Sequence, residues 1–501
     1  MFTRILILSF AFTAGCVVGP DPRRPDTVLE PSDQFIYGDG STEPAELAGW
    51  WREFSDPVTE ELVLIALENN TDLRAAAASV LEAQGILAQA TGARLPVVNL
   101  GFDYSRSKGS VNFPTGREAF FTTTFDLGFD VAWQADLFGR LRRQEQSAAT
   151  LVLAVEADRI AAMHSIVAQV IRARVTVATL SRLVELSEAN IEALGRTLTL
   201  VEDLYEAGTE TSSALDVRLA RQNLAAAEAE LPPLQQQLTQ AELALDVLLG
   251  VRPGTGPKLS TLSTLPPLEP PPTGLPAHLL DRRPDLAASQ FRAMAEQADI
   301  GAEIADLYPD VTLSGSAGLT SSTLNELLSD LSQVYAGFAG LDQLIFDGGV
   351  QQGQVTVARA QAERAAAQYA GAVLVALQEV EGALIAERFN RLALAASTRA
   401  LDEAQAAEDL ARDRYERGVE TLLNVFEAEG RRRTAEEQVA SLEEAVWDSR
   451  IDLHLALGGD WGIDVPEPTL NGAADEKPGP RVRPKWHLNR FEHGPYGSVQ
   501  N

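Results

Sequence analysis

The 501-residue chain has one cysteine, five histidines, three methionines and only 6% aromatic residues. A single thiol excludes an intrachain disulfide and a cysteine-based metal cluster. Scattered histidines, with no Gly-rich phosphate loop and no paired ligand spacing, leave no constellation for catalysis, a metal or a cofactor. His487 and His493 stand apart in a tail rich in Pro, Gly and charge, which does not make a metal site. Basic residues are outnumbered, 41 Lys+Arg against 71 Asp+Glu, for a formal charge of −30. That balance argues against a nucleic-acid partner, whose phosphates it would repel. It fits plain solubility and an acidic, cation-favouring lumen equally well. Long apolar runs are missing too. None beyond the N-terminus approaches the roughly 18 residues that a membrane helix requires, so any crossing has to be a β-barrel.

The lone cysteine is explained by its surroundings. Arg4 and the short apolar run Ile5 to Phe12 precede Thr13-Ala14-Gly15-Cys16, the pattern of an export signal over residues 1–15. Small residues before Cys16 resemble a bacterial lipobox, which implies cleavage there and acylation of Cys16, palmitate included. An ordinary signal peptide with an incidental cysteine is the alternative. Val17 rather than Asp follows, which by the same resemblance permits sorting to the outer membrane.

The chain is written twice. Asn70-Thr71-Asp72-Leu73 and Arg283-Pro284-Asp285-Leu286 each open an Ala-rich helical stretch. Leu95-Pro96-Val97 pairs with Tyr308-Pro309-Asp310-Val311, and Asp136-Leu137-Phe138-Gly139 with Leu344-Ile345-Phe346-Asp347-Gly348. Tyr205-Glu206-Ala207-Gly208 pairs with Tyr415-Glu416-Arg417-Gly418, and Val247 to Gly250 with Leu455 to Gly458. The offset stays near 210, so each half is one helix–strand–strand–helix–helix unit. The first copy covers 46–251, with strands over 97–107 and 119–135 and helices over 139–206 and 212–250. The second covers 277–462, with strands over 310–320 and 333–346 and helices over 349–417 and 421–458. Residues 16–45 read as a lipidated start and an unstructured tether, 252–276 as a linker, and 463–501 as a disordered tail.

The strand runs alternate with a period of two. Phe121, Thr123, Phe125, Leu127, Phe129, Val131 and Trp133 share one face, opposite Thr122, Thr124, Asp126, Gly128, Asp130 and Ala132. Val98, Leu100, Phe102 and Tyr104 oppose Asn99, Gly101, Asp103 and Ser105. The third run sets Val311, Leu313, Ala317 and Leu319 against Thr312, Ser314 and Ser316; the fourth, around Val334 to Phe346, alternates least. Such runs also occur in soluble sandwiches. An aromatic face opposite a small polar one favours lipid outside and water inside. Four strands cannot close a membrane barrel, and an open edge in lipid leaves backbone groups unpaired, so several chains must pool strands. A trimer supplies twelve.

From Gly139 to Glu206 there is no proline. Met163, Val170, Val177, Val184, Ile191, Leu198 and Tyr205 recur at intervals of seven, with Ile166, Ala173, Leu180, Leu194 and Val201 beside them. At about 1.5 Å per residue this helix is roughly 100 Å long. The two shorter helices of that half, about 58 and 35 Å, nearly equal it when stacked end to end. Pro232-Pro233 interrupts the helix after Ser212 and predicts a bend there. A long coiled coil alone reads equally as a rod. Duplicated amphipathic strand pairs with an export signal favour a tube.

Trp50-Trp51, Phe54, Asp56-Pro57, Ala66-Leu67 and Asn70 to Leu73 resemble the N-terminal signature of the TolC-like outer-membrane efflux proteins. Leu275-Pro276, Leu279-Leu280 and Arg283 to Leu286 resemble its mid-chain signature, and the lipoprotein (NodT or OprM) branch fits best. The resemblance implies a mainly α fold with β: a homotrimer closing a 12-stranded transmembrane β-barrel on a long periplasmic α-helical coiled-coil barrel. It implies a lipid-anchored duct in the outer membrane, docked on a periplasmic adaptor and an inner-membrane transporter, with no cofactor. The periplasmic aperture then lies at the hairpin turns, with Tyr205, Gly208 and Asp216 in the first and Tyr415, Gly418, Glu420, Asn424 and Glu427 in the second. Relatives often carry acids at the positions of Asn424 and Glu427, and some a base at Glu420, so this chain departs from the family latch. The alternative is a lipid-anchored periplasmic coiled-coil spacer or adhesin stalk without a pore.

Overall fold

A computed structural model describes residues 17–26, 34–38, 56–114, 116–208, 212–257, 276 and 279–459. Cys16, Trp50-Trp51, Phe54, most of the expected linker and the tail lie outside the described residues. The elements run α1 (Pro57–Asn69), α2 (Thr71–Gly92), β1 (Val97–Phe113), β2 (Gly116–Ala135), α3 (Arg140–Glu206) and α4 (Ala214–Leu248). The second half runs α5 (Leu279–Arg282), α6 (Pro284–Ala305), β3 (Asp310–Ser321), β4 (Gln333–Asp342), α7 (Val350–Glu416) and α8 (Leu422–Ala456). Two compact units divide the chain: Met1–Asp26 with Ser79–Glu156 and Ala288–Gly371, and Thr27–Ala78 with Ala157–Ala287 and Ala372–Asn501.

In the first unit the strands form one antiparallel sheet in the order β1-β2-β3-β4. Leu100 opposes Phe129, Phe102 opposes Leu127 and Tyr104 opposes Phe125, so their side chains share a face. The Tyr104 and Phe125 rings meet at 5.0 Å. The apolar face is open to the surroundings, with Leu100, Phe102, Tyr104 and Phe129 all exposed. On the other face Asp103 opposes Asp126, Asp130 opposes Asn99 and Ser316, and Asp310 opposes Asp342. β1 and β2 run further than the alternation alone predicts, through Arg106 and Lys108 on β1 and back from Gly116, because cross-strand pairing continues where the side chains turn polar. β4 stops at Asp342 rather than Phe346, and its Val334 and Phe338 fall on the face shared with Ser314 and Ser316.

Residues 17–26 were expected to be an unstructured tether. They have no regular secondary structure but are held in place. The Val18 amide donates to the Phe138 carbonyl at 3.2 Å. Buried Arg143 donates to the carbonyls of Val18 and Gly19, both at 3.3 Å, and pairs with Asp21 at 3.0 Å. Gly19 and Gly301 cross so closely that a Cβ on Gly19 would meet the Gly301 Cα at 2.5 Å. The first segment after the cysteine is thus a strap laid on α3 and α6.

In the second unit α1 starts at Asp56, whose carboxylate accepts from the Val58 amide at 3.2 Å, with Pro57 at the first helical position. Asp56 also pairs with buried Arg174 of α3 at 3.2 Å. The core gathers Leu62, Val63 and Leu67 of α1, Ile166, Val170 and Ile171 of α3, Leu245 and Leu249 at the end of α4, and Trp447 and Ile451 of α8. The heptad row is uneven in burial: Val170 and Val177 are covered, and Tyr205 at its end is 48% exposed. Pro232 and Pro233 do not break α4, which continues from Ala214 to Leu248. They sit exposed and deprive only the carbonyls of Glu228 and Ala229 of a helical donor.

Among the described residues one helix, α7, is long and apolar enough to cross a membrane by length and composition. No continuous apolar run in the sequence signals this, because Gln378, Glu379 and Glu381 divide Ala370 to Leu377 from Ala383 to Ala386.

Candidate functional site

Two helix hairpins make the site foreseen at the aperture. α3 ends with Gly208 at φ 67°, and α7 with Gly418 at φ 73°, the left-handed conformation that stops a helix without a Cβ clash. In the second hairpin the Gly418 amide donates to the Tyr415 carbonyl at 2.9 Å and the Val419 amide to Arg414 at 3.0 Å, closing a Schellman turn. α4 then starts with a capping box: the Asp216 amide donates to the Ser213 hydroxyl at 3.3 Å and the Ser213 amide to the Asp216 carboxylate at 2.8 Å. Thr421 at the start of α8 makes no such cap. Glu420 takes that place instead, accepting from the Thr421 amide at 3.1 Å and the Asn424 side chain at 2.6 Å, with Arg414 at 3.8 Å. These bonds, Asn424 foremost, hold its carboxyl below the usual range.

Val201, Val217, Tyr415, Leu422 and Val425 pack both hairpins together. Tyr415 is 2% exposed. Its hydroxyl makes no hydrogen bond of ordinary geometry among the described residues. Burial raises this phenol, the nearby Asp216 carboxylate raises it further, and the Ser212 hydroxyl partly offsets both. The structure therefore joins Glu420 to Asn424, while Asp216 acts on Tyr415 only through its nearby charge. Tyr205 and Glu427 stay apart: Tyr205 is exposed, and among the described residues Glu427 reaches Arg431, at 3.5 Å, beside a shallow groove between α7 and α8.

A charged brace behind the turns was not legible in the sequence. Arg412 of α7 bonds Glu408 at 2.7 Å and Glu429 of α8 at 2.9 Å, while Thr197 of α3 donates to Glu429 at 3.3 Å. Arg432 completes it on Glu408 and Glu436. Glu408 and Glu429 are both buried, and Glu429 Oε2 has no partner among the described residues. Burial pushes the Glu429 carboxyl up, Arg412 and Thr197 pull it partway back, and Glu408 adds to the rise. The Glu408–Arg412 spacing of four is visible in the sequence, but such pairs are usually solvated. No group of His, Cys, Asp or Glu among the described residues could hold a metal ion.

The sequence profile described as Outer membrane efflux protein matches residues 62–251 and 275–459. The chain belongs to the outer membrane efflux protein family. It is 31% identical over 468 residues to the probable efflux pump outer membrane protein SepC of Pseudomonas putida, covering 91% of this chain and 96% of that one. The solved outer-membrane channel OprN superimposes with a TM-score of 0.82 at 31% identity, over 89% of this chain and all of OprN. The open state of the Neisseria gonorrhoeae channel MtrE gives 0.80 at 26%, over 91% of this chain and all of MtrE. This outer membrane efflux protein is accordingly an outer-membrane channel whose helices extend into the periplasm, the exit duct of an efflux pump. Its role is transport. The spacer or stalk reading finds no support in these likenesses.

Proposed function

We propose that three copies close one twelve-stranded barrel and one helical tube, anchored by acylated Cys16 and docked on a periplasmic adaptor that joins it to an inner-membrane transporter. The observation that carries the assembly is the sheet: β1 and β4 are both edges, they run in opposite directions, and the exposed face between them is apolar. Three sheets of four strands pair β4 of each copy with β1 of the next and leave no edge in lipid. The exposed apolar residues of α7, among them Val357, Leu374, Phe389 and Leu392, are then covered by neighbouring copies. The strap supports the anchor, since it sets Val17 against Gly139 where β2 passes into α3, one residue from Cys16. The aperture is at the hairpins, with the packing of Tyr415, the Ser213–Asp216 capping box and the Glu420–Asn424 bond holding each tip in shape. Purified protein in a planar bilayer tests this. Heat-resistant trimers that open to stepwise conductance are expected; well-folded trimers that stay silent even with Asn424 replaced would overturn it in favour of a stalk.

A further inference from the structure

Charges on the described strand residues segregate by face. Asp103, Asp126, Asp130, Asp310 and Asp342 all take the polar parity. The basic residues take the other. Arg106 opposes Thr123, Lys108 opposes Phe121 and Asn112 opposes Arg117, in register with Tyr104 opposite Phe125. All three therefore continue the apolar, outward row of β1 and β2. The outward positions beyond Tyr104 read Arg106, Lys108, Ser110 and Asn112 on one strand and Arg117, Ala119, Phe121 and Thr123 on the other. Three cations and no acid, in a chain with 71 acids to 41 bases, is a concentrated exception.

The height of this cluster is fixed by the pairing. β3 ends at Ser321, level with Phe125 and Tyr104. The β1–β2 hairpin beyond those residues is a two-stranded overhang, pointing away from the helices that follow the strands. Below it the outward row Phe125 to Trp133 of β2 is apolar for about 27 Å along the strand, roughly 20 Å of depth at the usual tilt, close to the lipid-facing band of a barrel wall. Arg106 begins about 7 Å past Tyr104, where hydrocarbon gives way to headgroups on the cell's outer side.

The side chains are also arranged for an anion. The Arg106 guanidinium lies 5.1 Å from the Phe121 ring centroid and the Lys108 ammonium 5.6 Å from it. A cation–π contact uses no N–H donor in a hydrogen bond, so a guanidinium held this way keeps its donors for phosphate oxygens. Arg117 is steadied by the Ser110 hydroxyl, to which its Nε donates at 2.9 Å. The ring limits the freedom of two long cations, so less entropy is lost when an anion binds.

We infer that Arg106, Lys108 and Arg117 form a binding site for the phosphate groups of an anionic glycolipid in the outer leaflet, gripping the headgroup while its acyl chains lie along Tyr104, Phe102 and Leu100. This rests on the membrane-spanning reading of the strands.

The test uses the full-length protein in detergent, titrated with bis-phosphorylated lipid A and with the same lipid after phosphatase treatment, the glycolipid retained per chain being read by mass spectrometry. Wild type should retain the phosphorylated form, and the triple variant Arg106→Ser, Lys108→Ser, Arg117→Ser should lose retention about tenfold or more, since each cation at an anionic surface adds to binding. Arg117→Ser alone should lose part of it, and Arg106→Lys with Arg117→Lys should keep most. Equal retention by wild type and triple variant, equal retention of the two lipid forms, or full displacement by millimolar inorganic phosphate would each overturn the site, the last by showing a free-anion site. Bilayer conductance separates the two readings: the triple variant should conduct as wild type does. Silence of both the wild type and Asn424→Asp condemns the barrel reading, whereas a conducting protein with unaltered lipid retention in the triple variant condemns only this site.

Discussion

The Asn70 side-chain amide donates to the Leu248 carbonyl at 2.8 Å, joining the start of α2 to the end of α4. The same side chain caps α2 by accepting from the amides of Asp72 at 2.8 Å and Leu73 at 3.1 Å. The second half solves the same joint differently: Arg283 donates to the Ala456 carbonyl at 3.1 Å while pairing with Asp285 and Glu379. Gly250 and Gly458, at φ 70° and 84°, turn the chain where a Cβ would strike Asn69 and Arg282. Each half thus closes its broken helical line with one polar side chain and one glycine.

Asn70→Ala should remove the cap and leave the Leu248 carbonyl unpaired, for a loss of about 1–3 kcal/mol. Thermal unfolding of the purified protein reads it. A change within a few tenths would mean that the joint is held by its apolar core alone.

The facing of β2 is open to a paired substitution. Phe129→Arg, opposite Leu100 in the middle of the apolar row, should cost about 2–4 kcal/mol if that row spans the hydrocarbon. Thr124→Arg, on the polar face, should be tolerated. The yield of heat-resistant assembly in the membrane fraction distinguishes them, and equal yields would reverse the assignment.

The strap predicts a protease phenotype. Arg143→Ala removes charged hydrogen bonds to Val18, Gly19 and Asp21, each worth about 1.5–3 kcal/mol. Trypsin should then cut after Arg23 faster by about tenfold or more, with the body of the chain intact; the bond after Arg24 is protected by Pro25.

Glu429 predicts a pH dependence. Its folded carboxyl holds its proton more tightly than in the unfolded chain. The stability it contributes is therefore fully present below the ordinary carboxylate range and is lost as pH rises through the raised folded value. As pH rises above the ordinary carboxylate range the wild type should lose melting temperature that Glu429→Gln does not lose. Parallel curves for the two proteins would remove Glu429 from the account.

At the tip, Asn424→Asp replaces a donor to Glu420 with a like charge, where the present contact is 2.6 Å. The second hairpin should loosen, and single-channel records should show more frequent opening. Glu427→Gln should instead weaken cation preference and divalent block if that carboxylate lines the pore; an unchanged selectivity would assign it to the outer face with Arg431.

Duplication, strand alternation and heptad spacing are local repeats, so they are legible from the residues themselves: Phe125 and Thr124 face opposite ways wherever β2 lies, and Gly208 and Gly418 stop helices whatever surrounds them. The strap, the brace and the reach of the β1–β2 overhang are not local. Thr197 and Glu429 are separated by 232 residues, and Arg143 and Asp21 by 122. A charged residue on a long helix looks solvated until another element covers it, and only the packing of α3, α7 and α8 decides that Glu429 is buried while Glu427, two residues away, is not. Periodicity determines which way a side chain points along its own element; tertiary structure determines what it meets there.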